Sequence, residues 1–360
     1  MSRPHPRHLG RALATTLGLP LLILGSLTAS AVTGTPAATT AVKQQTSSTF
    51  LDDGLCDHIH FGVNPANAVA EAAASRAAAT YPKRIDLPAG FQPEGIAIDH
   101  TGTAYFGSRL DGDIYAAGLR TGEGTVIVQG PGTPSLGMKL DQRGRLFVAG
   151  GTGGNGRVID TQSGTVLAGY AFTTSANTFV NDVILGKDAA WFTDSRQQAI
   201  YKVPLGRNGK LPSQAAVQTI PLSGDYVHDP VNLNANGISL TPDGRNLIIV
   251  QSATGFLFRV DPRTGVTRRI DLGTTVLTAG DGLLRSNHTL YVAQNRLNKI
   301  AVLDLDSSGS KGRLVGEITS ADFDVPTTMA FYGSRIYLPN ARFSTPPTPT
   351  TEYWATAVQR

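Results

Sequence analysis

From Lys83 to the C-terminus, short runs of Val, Ile, Leu, Tyr and Phe alternate with turns rich in Gly, Asp and Pro, and helical periodicity almost disappears. That punctuation predicts an all-β domain. Six runs match one another as the second strand of a repeated unit: residues 105–108, 147–150, 191–194, 248–251, 291–294 and 337–340. Each follows a first strand and a tight turn, as at Asp99-His100-Thr101-Gly102 or Thr241-Pro242-Asp243-Gly244. Third strands follow at 113–115, 157–160, 200–203, 256–260 and 299–303, and a fourth closes the unit, as at 267–272.

Four-strand units recurring every ~40 to 50 residues read as propeller blades, because a lone blade cannot cover both its faces and must stack on neighbours. The expected fold is a six-bladed β-propeller with four-stranded antiparallel blades. Residues 83–87 precede the first full unit, while the last unit has no strand left after 353–358. The N-terminal strand is therefore expected to complete the last blade and remove an exposed edge. A two-sheet sandwich would not explain six matched second strands.

In such a ring the first strand of each blade runs beside the central axis, and its start shares a face with the end of the second strand. In register, the axial positions are Glu94, Leu136, Asn181, Asn236, Asp281 and Thr327. A second ring on the same face holds Ser108, Gly150, Asp194, Gln251, Gln294 and Asn340. Four axial residues carry oxygen donors. Glu94, Asn181, Asn236 and Asp281 would bring two carboxylates and two amide oxygens to one point, balancing one divalent cation. Calcium heads the candidates, with magnesium, manganese or zinc as alternatives. Asn181, Asp194, Gln251, Gln294 and Asn340 are the expected substrate contacts.

The residues ahead of the domain change the picture of where it works. Residues 1–11 carry Arg3, Arg7 and Arg11 and no acid, 12–27 are mostly apolar, and Ala29-Ser30-Ala31 offers small residues for cleavage. Together they read as a secretory signal peptide over 1–31. The apolar run is short of the ~20 residues of a spanning helix. Loss of 1–31 lowers the net charge from +4 to +1, and no Lys/Arg cluster with interleaved aromatics supports nucleic-acid binding. Residues 32–82 form a Thr/Ala-rich spacer and N-terminal arm, and 83–360 the propeller. Cys56 is the single cysteine, so no internal disulfide is available. Cys56, His58 and His60 alternate as metal ligands can, yet three without a fourth make a weak signal.

Several motifs resemble the senescence-marker-protein/gluconolactonase/regucalcin-like family: Pro93-Glu94-Gly95, Asn236-Gly237-Ile238-Ser239-Leu240-Thr241-Pro242-Asp243-Gly244, and Asp281-Gly282 leading to Leu290-Tyr291-Val292-Ala293. A looser likeness is to strictosidine-synthase-like propellers. The resemblance spans Lys83 to the C-terminus and implies a six-bladed propeller with one axial divalent ion on Glu94, Asn236 and Asp281. Asn181-Asp182 resembles the family's further asparagine motif. It also implies hydrolysis of a lactone or related ester, with Asp281 as the catalytic base. One departure matters: where sugar-lactone enzymes of this kind carry arginine two residues before that asparagine, this chain has Phe179. The expectation is thus a secreted, monomeric hydrolase acting on a small molecule, against the alternatives of a ligand-binding propeller or a strictosidine-synthase-like enzyme.

Other chemistry fails on context. Gly151-Thr152-Gly153-Gly154-Asn155-Gly156 has dinucleotide-loop spacing but leads into a strand where a helix is required. No Gly-x-Ser-x-Gly elbow is present, and His100, His228 and His288 fall in turns or loops away from the axial positions.

Overall fold

The computed structural model describes residues 81–360. The leader, nearly all of the spacer and arm, and the Cys56, His58 and His60 trio lie outside the described residues. Six sheets form the blades, and in each the four main strands follow chain order except in the last. There Arg84–Leu87 pairs antiparallel with Tyr353–Gln359, matching Arg84 to Thr356 and Leu87 to Tyr353. The ring closes as the unpaired ends of the repeat predict. The fourth blade carries a fifth, two-residue strand, Ser223–Gly224, paired parallel to Val266–Arg269.

The core consists of six apolar clusters, one for each pair of neighbouring blades. Alternation along the strands explains this: successive side chains point to opposite faces, so each strand feeds two interfaces. On Ala189–Asp194, Trp191 packs toward the fourth blade and Phe192 toward the second. On Leu247–Gln251, Leu247 and Ile249 face one neighbour while Ile248 and Val250 face the other. The cluster of Ile85, Ile96, Phe106, Tyr337 and Tyr353 joins last blade to first, and Thr327 Oγ1 donates across the same seam to the Glu94 carbonyl at 2.7 Å.

Glycines beside the axis let the inner strands approach. A Cβ on Gly95 would lie 2.0 Å from the Leu136 carbonyl oxygen of the next blade, and one on Gly237 would lie 2.2 Å from that of Asp281. No side chain fits in either place.

Candidate functional site

The innermost strands of four blades shift register against their partners at the axial residue itself. The ladder passes from Pro93 to Gly95 around Glu94, from Val180 to Val183 around Asn181, from Ala235 to Ile238 around Asn236, and from Gly280 to Leu283 around Asp281. A bulge breaks the pleat alternation and re-aims a side chain. In the second and sixth blades the inner ladder begins later, at Met138 and Ala330, and the axial residues Leu136 and Thr327 stand ahead of it. The bulges in the first-to-second-strand ladder therefore coincide with the four expected donors.

All four donors are buried: 6% of Glu94, 3% of Asn181, 5% of Asn236 and 4% of Asp281 remains exposed. The two acids feel one another across the ring. Glu94 is driven well above the usual carboxylate range by burial first, then by the charges of Asp281 and Asp182. Asp281 is pushed up to about 7, chiefly by burial, although hydrogen bonds from Asn295 and Asn236 work against the shift. Glu94 Oε2 is buried without a hydrogen-bond partner. Such an orphan costs on the order of 1–3 kcal/mol, more where the group is charged. Among the described residues no three His, Cys, Asp or Glu side chains form a cation cradle, so a cation here would need the amide oxygens as well. That donor set, two acids and two amides with an orphaned oxygen among them, fits a hard divalent ion.

Three of the donors are held by the residue that immediately follows the second strand of their own blade. Asn181 Nδ2 donates to Ser195 Oγ at 2.9 Å, and Ser195 Oγ donates onward to the Ala235 carbonyl of the next blade at 2.7 Å. Asn236 repeats the relay through Ser252 Oγ, at 3.0 Å, to the Gly280 carbonyl, at 2.6 Å. Because each amide nitrogen is occupied, each amide oxygen is left free to accept or to ligate. Asp281 Oδ2 accepts from Asn295 Nδ2 at 2.5 Å. The equivalent place in the first blade is Arg109, whose charge lowers Glu94's proton affinity and whose Nη2 donates to Gln92 Oε1 at 2.7 Å. Sequence reasoning missed this second layer, although its signal was available: a polar residue, Arg109, Ser195, Ser252 or Asn295, stands one step beyond the second strand in the same four blades that carry an axial donor, whereas Gly151 and Ala341 stand there in the other two.

Asp182 is the second residue of the Asn181-Asp182 motif. It occupies the position that is Gly95, Gly137, Gly237 and Gly282 in other blades, and its carboxylate fills the space beside Gly137, 2.2 Å from where a Cβ would stand. Its oxygens accept from Val183 N at 2.8 Å and Ile238 N at 3.2 Å, and Lys139 Nζ lies 3.8 Å away. Lys139 thus offsets the third carboxylate, leaving two negative charges, those of Glu94 and Asp281, for one divalent ion.

The outer-ring side chains expected to contact substrate are each hydrogen-bonded within the chain. Asp194 is fully buried and accepts from Phe179 N, Arg196 N, Gln197 N, Thr178 Oγ1 and Tyr201 OH. Gln251 donates to the Val227 carbonyl and Asn234 Oδ1, and accepts from Thr254 Oγ1. Gln294 donates to the Thr278 carbonyl, and Asn340 bonds Asp324 N, the Trp354 carbonyl and Thr356 Oγ1. These side chains pin the loops that feed the innermost strands, the capping use that strand-end Asn and Asp commonly serve. Of the four axial donors, Asn236 lines a cavity of about 420 Å³, together with Ser252, Asn295, Arg296, Leu233 and Phe343 among others.

Comparison with known proteins agrees with this architecture. The family model described as strictosidine synthase-like, N-terminal, matches residues 82–117. No curated protein matches the chain in sequence. Solved structures that resemble it include a calcium-binding regucalcin from Agrobacterium tumefaciens, 18% identical over 78% of this chain and 94% of that one, with a TM-score of 0.57. A gluconolactonase from Xanthomonas campestris is 18% identical over 76% and 88%, at 0.51. Virginiamycin B lyase from Staphylococcus aureus is 16% identical over 71% and 81%, at 0.52. The likeness is one of fold. The resemblance read from the motifs thus holds at the level of the propeller, and the presence of a lyase among these neighbours shows that the fold alone does not select a reaction.

Proposed function

We propose that the chain is a divalent-cation-dependent hydrolase that opens a lactone or a related ester at the axial site. The observation that carries the reading is the buried pair Glu94 and Asp281, drawn from blades one and five, mutually repelling and left with an unpartnered carboxylate oxygen. Where both acids ionise, a cation would relieve their repulsion, and the regucalcin propeller among the structural neighbours is described as calcium-binding.

When bound, the cation supplies a Lewis acid that polarises the acyl carbonyl. Glu94 and Asp281 would hold it by charge, and Asn181 and Asn236 by their amide oxygens. Asp281 takes a proton from water as the water oxygen attacks the acyl carbon; the acyl C–O bond then breaks and the leaving oxygen receives the proton. A general base must be ionised to take that proton, and a cation beside Asp281 would hold its carboxylate ionised against the burial that raises its proton affinity in the cation-free protein. Phe343 and Leu233 in the cavity wall, together with Phe179 in place of arginine, favour a more apolar acyl substrate than a sugar lactone. The leader over residues 1–31 supports action outside the cell; N-terminal sequencing of protein recovered from the medium tests that, and an uncleaved start at Met1 would refute it.

The direct test is a panel of lactones and esters assayed with the purified protein, with and without chelator, alongside metal analysis. Hydrolysis of at least one compound that chelation abolishes and calcium, magnesium, manganese or zinc restores is the expected result. No turnover anywhere on the panel with cation present would leave a ligand-binding propeller. The short strictosidine synthase-like match favours a third reading, and amine–aldehyde condensation by the cation-loaded protein would select it.

Ser195→Ala and Ser252→Ala test the second layer. Each removes the acceptor that fixes an amide nitrogen, so cation affinity should fall roughly 10- to 100-fold, as for other outer-layer partners. Calorimetric titration reads this; unchanged affinity in both variants would detach the asparagines from the ion.

A further inference from the structure

Blade two contains two buried arginines with opposite circumstances. Arg145, 9% exposed, donates from Nε and Nη2 to Asp141 Oδ2, at 2.8 and 2.6 Å. Arg157, 8% exposed, has no carboxylate within ion-pair distance among the described residues. Its Nη2 donates to the Pro134 carbonyl at 3.0 Å and to Ser135 Oγ at 2.5 Å, while Nε and Nη1 have no partner at all. Burial alone lowers its proton affinity, to about 10, and no neighbouring charge opposes the shift. A buried cation left unpaired is strongly unfavourable unless an anion reaches it.

Arg157 forms part of the wall of a cleft of about 450 Å³ between blades one and two, within the ~300–1,000 Å³ usual for small-molecule sites. The cleft lies on the outer strands, away from the axial cavity. Its remaining wall is mainly apolar: Val128 and Pro131 from blade one, Ile159 and Val166 from blade two. Asp113, on the blade-one side, directs Oδ1 to Gly130 N at 2.6 Å and makes no ion pair with the arginine. Gly169 stands opposite Arg157 on the neighbouring strand, Val166–Ala171, and a Cβ there would meet nothing within 4 Å. The open space beside the arginine is therefore cleft, not packed protein.

We propose that this cleft binds a small amphipathic monocarboxylate, its apolar body against Val128, Pro131, Ile159 and Val166 and its carboxylate on Arg157. Nε and Nη1 are buried, so capture includes a turn of the guanidinium toward Gly169. The charge and the shape make separate demands on the ligand. An uncharged molecule of the same body leaves the cation unpaired, and a short inorganic anion leaves the apolar wall wet.

The test uses octanoate and octanamide as probes, titrated into the full chain with chelator present so that the axial site takes no part. Octanoate should bind at least ten times more tightly than octanamide. Arg157→Gln should remove that preference. Gly169→Leu starts its side chain where a Cβ meets nothing within 4 Å, and should abolish octanoate binding while leaving the melting temperature unchanged or higher. The two variants are complementary: if Arg157→Gln fails to fold, Gly169→Leu still decides. Undetectable octanoate binding by the unaltered protein, equal binding of octanamide, or full binding by Gly169→Leu would each overturn the proposal.

Discussion

Replacing Asp281 with asparagine should abolish turnover and, in the cation-free protein at pH 8, raise the melting temperature. The two effects have one cause. Asp281 is buried beside another acid, and its proton affinity is raised from the ordinary 3.8 to about 7. Folding then costs on the order of 4 kcal/mol at most wherever the group must ionise in place, since each pKa unit is worth ~1.4 kcal/mol. Asparagine keeps the shape, can turn its oxygen to the Asn295 amide that now donates to Oδ2, and carries no charge to desolvate. It also cannot accept the proton of attacking water, so kcat should fall by at least ~100-fold, the lower end of general-base contributions. Thermal denaturation in chelator and initial-rate kinetics in excess cation read the two limbs separately. A variant no more stable than the original would show that Asp281 bears no unfavourable charge, and retained turnover would remove it as the base.

The architecture was legible because its signal is local and repeated. Trp191 and Phe192 are adjacent in sequence yet belong to different interfaces, and the same alternation recurs in every blade, so six matched strands could be counted without knowing how they stack. The leftover N-terminal strand and the missing fourth strand of the last unit pointed to each other. The placement of the four expected donors was legible for a related reason: each sits at the start of a first strand. What decides their orientation was not. Ser195 and Ser252 matter because a carbonyl of the following blade lies within reach, about 40 residues away in one case and 28 in the other, and no local pattern announces such a pairing. The outer ring shows the opposite difficulty. Asp194, Gln251, Gln294 and Asn340 stood in register as the axial residues did, but a polar strand end reads the same whether it faces a ligand or pins its own loop. Asp182 was hidden by its position, since only the inner approach of Gly137 reveals that a carboxylate fills a slot where other blades need glycine.

The stability of the cation-free and cation-loaded protein should diverge as pH rises. Glu94 and Asp281 both have folded-state proton affinities above their unfolded values. For a group raised in this way, stability is fully present below the unfolded pKa and is lost as pH climbs through the folded one. The cation-free protein should therefore lose stability between about pH 4 and pH 7 from Asp281 alone, with Glu94 adding to the loss in the same direction. A cation reverses the sign because it binds the ionised carboxylates: where the acids are protonated it must displace protons, and where they are ionised it removes their repulsion. Its effect on melting temperature should be small near pH 5 and reach several degrees near pH 8. Calorimetric titration near pH 6 in buffers of different ionisation enthalpy should show protons released on binding, and near pH 8 markedly fewer. A melting difference independent of pH, or binding without proton release near pH 6, would mean that the ion does not engage these two acids, and the axial site would then have to be sought among other groups.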